Sequence, residues 1–208
     1  MKKSYLFGAM CVAALMIIGW AGNALAQETA KSTLDNLQAA FNGESNAKAK
    51  YEAFAIKADE EGYKQVASLF RAAAHAEGIH AASHGKVITD MGATPKADVG
   101  KPEVKSTKEN LEAALKGESY ERDTMYPAFI KQAEADKNQK ASRTFNWAIS
   151  AETEHAKLYQ EALGNLDAWK AGPKEFIVCQ KCGYTTAKTD IKQCPVCSNP
   201  RSKMDAIK

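Results

Sequence analysis

Gly43-Glu44-Ser45 followed by Glu77-Gly78-Ile79-His80, then Gly117-Glu118-Ser119 followed by Glu152-Thr153-Glu154-His155, is one pattern written twice, about 75 residues apart. Each copy supplies a lone glutamate and, further on, a Glu-x-x-His. Helical residues three apart share a face. Glu77 with His80, and Glu152 with His155, therefore each aim two donors the same way. A glutamate from each of two helices plus Glu-x-x-His from each of two others is the ligand set of a carboxylate-bridged di-metal site in a four-helix bundle. Mixed oxygen and nitrogen donors suit iron or manganese, whereas zinc would fit without redox chemistry. Any one of these glutamates alone reads as a solvated helix face; the matched pair of copies is what makes the set specific.

The repetition extends past the ligands. Asn36-Leu37-Gln38-Ala39-Ala40 matches Asn110-Leu111-Glu112-Ala113-Ala114, and Phe70 and Phe145 each precede a glutamate by seven residues. Apolar periodicity predicts helices over about 32–60, 63–89, 106–136 and 138–163, the third kinked by Pro127. Residues 90–106, with Gly92, Pro95, Gly100 and Pro102, read as a long crossover. The fold class is mainly α, a bundle built from two similar helix pairs.

The second copy carries an additional acid. Glu121 lies three residues after Glu118, where the first copy has Ala47. The bland alternative for Glu121 is a surface acid near Arg122. Tyr51 and Tyr126 follow Glu44 and Glu118 by about two helical turns, so each hydroxyl can support a ligating carboxylate or simply pack in the core. So many acids in one interior repel one another. The metal-free bundle is accordingly expected to be the less stable form.

After Gly172-Pro173 the character changes. Cys179-Gln180-Lys181-Cys182-Gly183 and Cys194-Pro195-Val196-Cys197 are two C-x-x-C knuckles separated by 11 residues. Four thiolates so arranged bind iron or zinc tetrahedrally. Taken alone the module is most simply a zinc ribbon; a redox-capable bundle beside it favours iron, and disulfides come last. The expected domains are a signal peptide over 1–26, a di-metal bundle over 27–172 and a small metal-binding module over 173–208.

Residues 1–26 combine Lys2 and Lys3 with an apolar run and end on Ala24-Leu25-Ala26, a cleavage site of the A-x-A kind. Export, to a periplasmic location after cleavage, is the expectation. Loss of Lys2 and Lys3 leaves 26 basic residues of 28 against 25 acids, a net charge of +1. So near neutrality, the chain has no electrostatic footprint for nucleic acid.

Together these residues resemble rubrerythrin, over nearly the whole mature chain: a ferritin-like bundle followed by a rubredoxin-like domain. The resemblance implies di-iron ligands at Glu44, Glu77, His80, Glu118, Glu121, Glu152 and His155, and a rubredoxin-type iron at Cys179, Cys182, Cys194 and Cys197. It implies that one iron exchanges Glu121 for His80 on reduction. Tyr51 and Tyr126 join the catalytic set as orienting groups. Hydrogen peroxide is the implied substrate, reduced to water with electrons passed through the thiolate iron from an unidentified donor protein. A head-to-tail homodimer would bring the thiolate iron of one chain near the bundle of the other. Two departures stand out: the export signal, and Ser198 where a glycine commonly follows the last cysteine. The alternative class is iron handling, with ferrous iron oxidised and sequestered as in ferritin relatives; a pure electron carrier would leave the bundle acids without use.

Overall fold

Ser32 and Ser106 begin the two halves of the chain in the same way. Each side chain accepts a hydrogen bond from the backbone N–H three residues on, and the acid there, Asp35 or Glu109, accepts from the serine's own N–H. This reciprocal cap satisfies helix-end donors and starts α1 (Thr33–Glu60) and α3 (Thr107–Tyr120). The computed structural model describes residues 31–208, and the expected signal segment lies outside the described residues.

α1 stops at Gly62, which takes a positive φ of 81°, and α2 (Lys64–Asp90) returns beside it. Residues 91–106 cross to α3. A π turn, Glu121–Met125, joins α3 to α4 (Tyr126–Ala135), and α5 (Gln139–Gly164) completes four rods. The expected single helix over 106–136, bent at Pro127, is corrected here: the rod widens one turn earlier. The Tyr126 N–H reaches back to the Glu121 carbonyl, while Pro127 sits in the first turn of α4, where its missing N–H costs little. The cause is visible in the repeat. Tyr51 follows Glu44 by seven residues and Tyr126 follows Glu118 by eight. The wider turn absorbs the additional residue and restores the tyrosine to its place.

The halves are tied reciprocally. The Thr33 N–H and hydroxyl donate to Asp136, at the end of α4, at 3.2 and 2.7 Å. The Thr107 N–H donates to Glu61, at the end of α1, at 2.8 Å. Each pair joins the start of one half's first helix to the end of the other's, as an approximate two-fold axis requires.

Two aromatic clusters fill the bundle. Tyr51, Phe54, Phe70 and Tyr159 make one, and Tyr126, Phe129 and Phe145 the other, with ring centroids 5.4–6.2 Å apart. They correspond through the repeat, Phe70 to Phe145 and Phe54 to Phe129. Fully burying one such ring stabilises the fold by about 1.5–3 kcal/mol. α2 buries Ala67, Ala72, Ala73, Ala74 and Ala76, small residues that let its neighbours approach closely.

A 3₁₀ turn, Leu166–Lys170, leads to a three-stranded antiparallel sheet of β1 (Phe176–Cys179), β2 (Thr185–Thr186) and β3 (Met204–Ile207), in the order β2-β1-β3. Ile177 pairs with Thr186 on one side and Ala206 on the other. The sheet belongs to the same unit as the bundle. His75 of α2 meets Asp205 of β3 at 2.8 Å, and the Phe176 and Val178 side chains join the first aromatic cluster.

Candidate metal centre

Four helices bring six of the seven expected bundle ligands together. Glu44 comes from α1, Glu77 and His80 from α2, Glu118 from α3, and Glu152 and His155 from α5. All six are 0–2% exposed. They form two overlapping groups, Glu44-Glu77-His80-Glu152 and Glu77-Glu118-Glu152-His155, each with donor atoms within 4.8 Å of one another. Glu77 and Glu152 belong to both, so a pair of ions would share them as bridges. Glu121 stands in neither group; it opens the π turn and remains partly exposed.

The donors fit a metal pair by their own chemistry. Glu44 Oε2, Glu77 Oε1, Glu118 Oε2, both Glu152 oxygens and His155 Nδ1 are buried without a hydrogen-bond partner. Buried polar atoms are ordinarily satisfied, and a converging set of acceptors calls for cations. Histidine geometry agrees. His80 Nε2–H donates to the Cys182 carbonyl at 3.2 Å. His155 Nε2–H donates to Thr185 Oγ1 at 3.1 Å, and that hydroxyl donates onward to the Gly183 carbonyl at 3.0 Å. Both rings thus keep Nδ1 facing the carboxylates, the arrangement of metal-ligating imidazoles held from behind.

Each tyrosine hydroxyl meets a carboxylate of the other half, not the one in its own copy. Tyr51 donates to Glu118 Oε1 at 2.6 Å, and Tyr126 donates to Glu44 Oε1. A third donor was not expected. His84 lies fully buried behind Tyr126: Thr144 Oγ1–H donates to its Nδ1 and its Nε2–H donates to the Tyr126 hydroxyl, both at 3.2 Å. Burial, followed by repulsion from His80, lowers His84 to about 3, so its ring is neutral. Three donors in series therefore point at Glu44. The repeat puts Tyr159 at the position of His84, which makes the two halves chemically unequal. The spacing of His84 from His80, one helical turn, was the available signal.

Without cations this interior is electrostatically crowded. Burial, then Glu77 and other acids, pushes Glu44 well above the carboxylate range. Burial, then Glu152 and Glu77, lifts Glu118 to about 8. Burial, then Glu118 and other acids, raises Glu121. Burial works against charge on His80, yet Glu152 and Glu77 carry it to about 10. Burial would also raise Glu77, but His155 and His80 hold it well below its usual value. The raised acids and His80 make the metal-free fold take up protons that the unfolded chain releases. The stability these groups contribute is therefore complete only below about pH 4.5 for the acids and about pH 6.5 for His80, and it is lost as pH climbs through about 8 at Glu118 and about 10 at His80. Glu77 and Glu152 act oppositely below their ordinary values near 4.5, and His84 acts oppositely below about 6.5. Metal binding needs deprotonated ligands. The gap in thermal midpoint between metal-loaded and chelated protein should widen steadily from about pH 6 to about pH 9. A gap that stays constant across scanning-calorimetry runs in that window would contradict this picture.

The four cysteines converge at the end of β1, the middle strand, with sulfurs 3.5 Å apart in the pairs Cys179–Cys197 and Cys182–Cys194. None is in a disulfide. The two knuckles share one backbone plan. Gly183 N–H donates to the Cys179 carbonyl at 2.9 Å, and Ser198 N–H to the Cys194 carbonyl at 3.0 Å. The residue after each second cysteine is left-handed, Gly183 at φ 74° and Ser198 at φ 57°. Serine pays about 1–2 kcal/mol there that glycine would not. At Gly183 a side chain is excluded for a second reason: a Cβ would run into the His80 ring. The cysteine knuckle therefore seats directly on the back of the bundle ligands. The resemblance implied such proximity between two chains; here it is made within one.

Residues 35–163 match the family model described as Rubrerythrin. The chain is 41% identical over 176 residues to nigerythrin of Nitratidesulfovibrio vulgaris, a match covering 84% of this chain and 86% of that protein. It is 34% identical over 180 residues to rubrerythrin-2 of Clostridium acetobutylicum, covering 84% and 96% respectively. Among solved structures it resembles nigerythrin in its fully reduced, all-ferrous state, with a TM-score of 0.79 and 39% identity over 88% of this chain and 91% of that one. A bacterioferritin of Desulfovibrio desulfuricans, 20% identical with a TM-score of 0.61, shares the bundle fold over 65% of this chain and 80% of its own.

Proposed function

Because the chain belongs to the rubrerythrin family, we propose that it is a non-haem iron peroxide reductase, with two irons in the bundle and one among the cysteines. When bound, the bundle irons would supply the two electrons that, with two protons, convert hydrogen peroxide to two molecules of water, and the cysteine iron would replace those electrons one at a time. The protein's own residues supply the rest. Glu77 and Glu152, common to both donor groups, would help hold both ions. Tyr51 and Tyr126 fix the orientation of Glu118 and Glu44. The aromatic clusters at either end keep bulk water from the carboxylates. Protons reach Glu44 along a hydrogen-bonded series that begins at Thr144 and passes through His84 and Tyr126.

One observation carries the reading: the hydrogen bond from His80 to the Cys182 carbonyl. It links a bundle ligand to a residue of the cysteine site through a single bond, which a storage protein would have no use for. The donor that reduces the cysteine site is a separate protein on this proposal. The proposal extends to a homodimer, on the strength of the family, and to a periplasmic location, on the strength of residues 1–26. Stopped-flow mixing of the fully reduced protein separates the classes. Rapid oxidation by peroxide with slow oxidation by dioxygen supports peroxide reduction. Rapid oxidation of added ferrous ions by dioxygen, with sluggish response to peroxide, would replace it with iron handling.

A further inference from the structure

Glu121 is the one expected ligand that is not sealed inside the bundle. It borders a surface cavity of about 200 Å³ together with Asn46, Ala47, Lys50, Lys101 and Pro102. Ala47 occupies, in the first half, the position that Glu121 takes in the second. A methyl group opposite a carboxylate leaves room that two glutamates would fill. Ala47 lies one helical turn after Glu44, and Glu121 one turn after Glu118, so two residues lining the cavity are helical neighbours of cage ligands. Lys50 and Lys101 give the opening a positive lining, and the Lys50 ammonium lies 5.1 Å from the Tyr51 ring centroid.

The outer rim is held by an unusual device. Gln38, Asn42 and Asn46 follow one another at four-residue intervals along a single face of α1. Their amides bind the crossover backbone as a strand would. Gln38 Nε2 donates to the Thr94 carbonyl at 2.8 Å and accepts from the Lys96 N–H at 3.2 Å. Asn42 Oδ1 accepts from the Asp98 N–H at 2.8 Å. Asn46 donates to the Asp98 carbonyl at 2.9 Å and accepts from the Gly100 N–H at 3.1 Å. The ladder's last rung is Asn46, and the next two residues of the loop, Lys101 and Pro102, are the rim itself.

We propose that this cavity is the route by which substrate reaches the metal cage, and that Asn46 is a positioning residue that sets its width and so favours hydrogen peroxide over bulky organic hydroperoxides. The inference rests on the peroxide reading for its substrate, while the route itself can be tested apart from turnover.

The experiment uses the full-length, iron-loaded protein. Azide serves as a small probe whose binding to the oxidised centre is followed by absorbance in stopped flow. For Ala47→Leu, which narrows the passage, azide association and dissociation should both slow by about tenfold, leaving the dissociation constant unchanged. A narrowed passage delays arrival and departure equally; a distorted site changes affinity. Unchanged rates, or an altered constant with unchanged association, would overturn the route. Asn46→Ala, which frees the rim, decides the matter if Ala47→Leu fails to load iron. It should raise the rate of oxidation of the reduced protein by cumene hydroperoxide relative to hydrogen peroxide by about tenfold, and an unchanged ratio would overturn the proposal. If the native protein ignores peroxide, the functional reading falls, and the azide rates still report on the route.

Discussion

Replacing both Glu77 and Glu152 with alanine is expected to strip the bundle of its two metal ions while leaving the cysteine site loaded. These two residues are the members common to both donor groups. Removing them takes each group from four protein donors to two. Loss of a residue that merely supports a ligand costs about 10–100-fold in metal affinity, so loss of two bridging ligands from each position must cost far more. Metal analysis per chain should fall from three ions to one. The same variant relieves part of the acid crowding, so its thermal midpoint should become insensitive to chelation at the bundle. Retention of two bundle ions would mean that Glu44, Glu118 and the histidines suffice alone, and the bridging assignment would be wrong.

The second large effect concerns the cysteine site. Cys182 supplies both a thiol to that site and the carbonyl that receives the His80 hydrogen bond. Cys182→Ser should lower steady-state peroxide reduction, driven by an external donor, by about a hundredfold or more, a barrier increase near 3 kcal/mol. Chemically pre-reduced variant should still react with peroxide once. A misfolded knuckle could mimic this loss, so zinc in the native cysteine site is the companion experiment. Zinc takes the same tetrahedral thiolate set and carries no electrons. The zinc-substituted protein should match the native fold, give the single turnover, and lack sustained turnover. Full steady-state activity with zinc in place would remove the cysteine site from the electron path.

Most of this site was legible because the chain repeats itself. The ligands recur with their neighbours, so helical periodicity alone placed Glu44, Glu77, His80, Glu118, Glu152 and His155 on inward faces. The π turn left a trace as well, in the seven-against-eight spacing of the two tyrosines, but that trace is too faint to locate a wide turn in advance. Other features depend on contacts between distant segments. Thr144 and His84 are 60 residues apart, and no local pattern pairs them. Gln38, Asn42 and Asn46 look like an ordinary polar helix face until a loop lies along it. Gly183 reads as a knuckle glycine for its backbone conformation; that it also makes room for His80 depends on how the sheet seats on the bundle. Glu121 shares a helical face with Glu118 and is a ligand in the family resemblance, yet it borders the surface cavity and stands outside both donor groups.

The central claim is that six buried side chains from four helices enclose a pair of redox-active ions. Anomalous diffraction from crystals of the full-length protein, recorded on both sides of the iron absorption edge, tests it most directly. Two iron peaks should lie between Glu77 and Glu152, flanked by His80 and His155, with a third among the four cysteines. A cage with no iron signal, or with its carboxylates turned outward to solvent, would contradict the account.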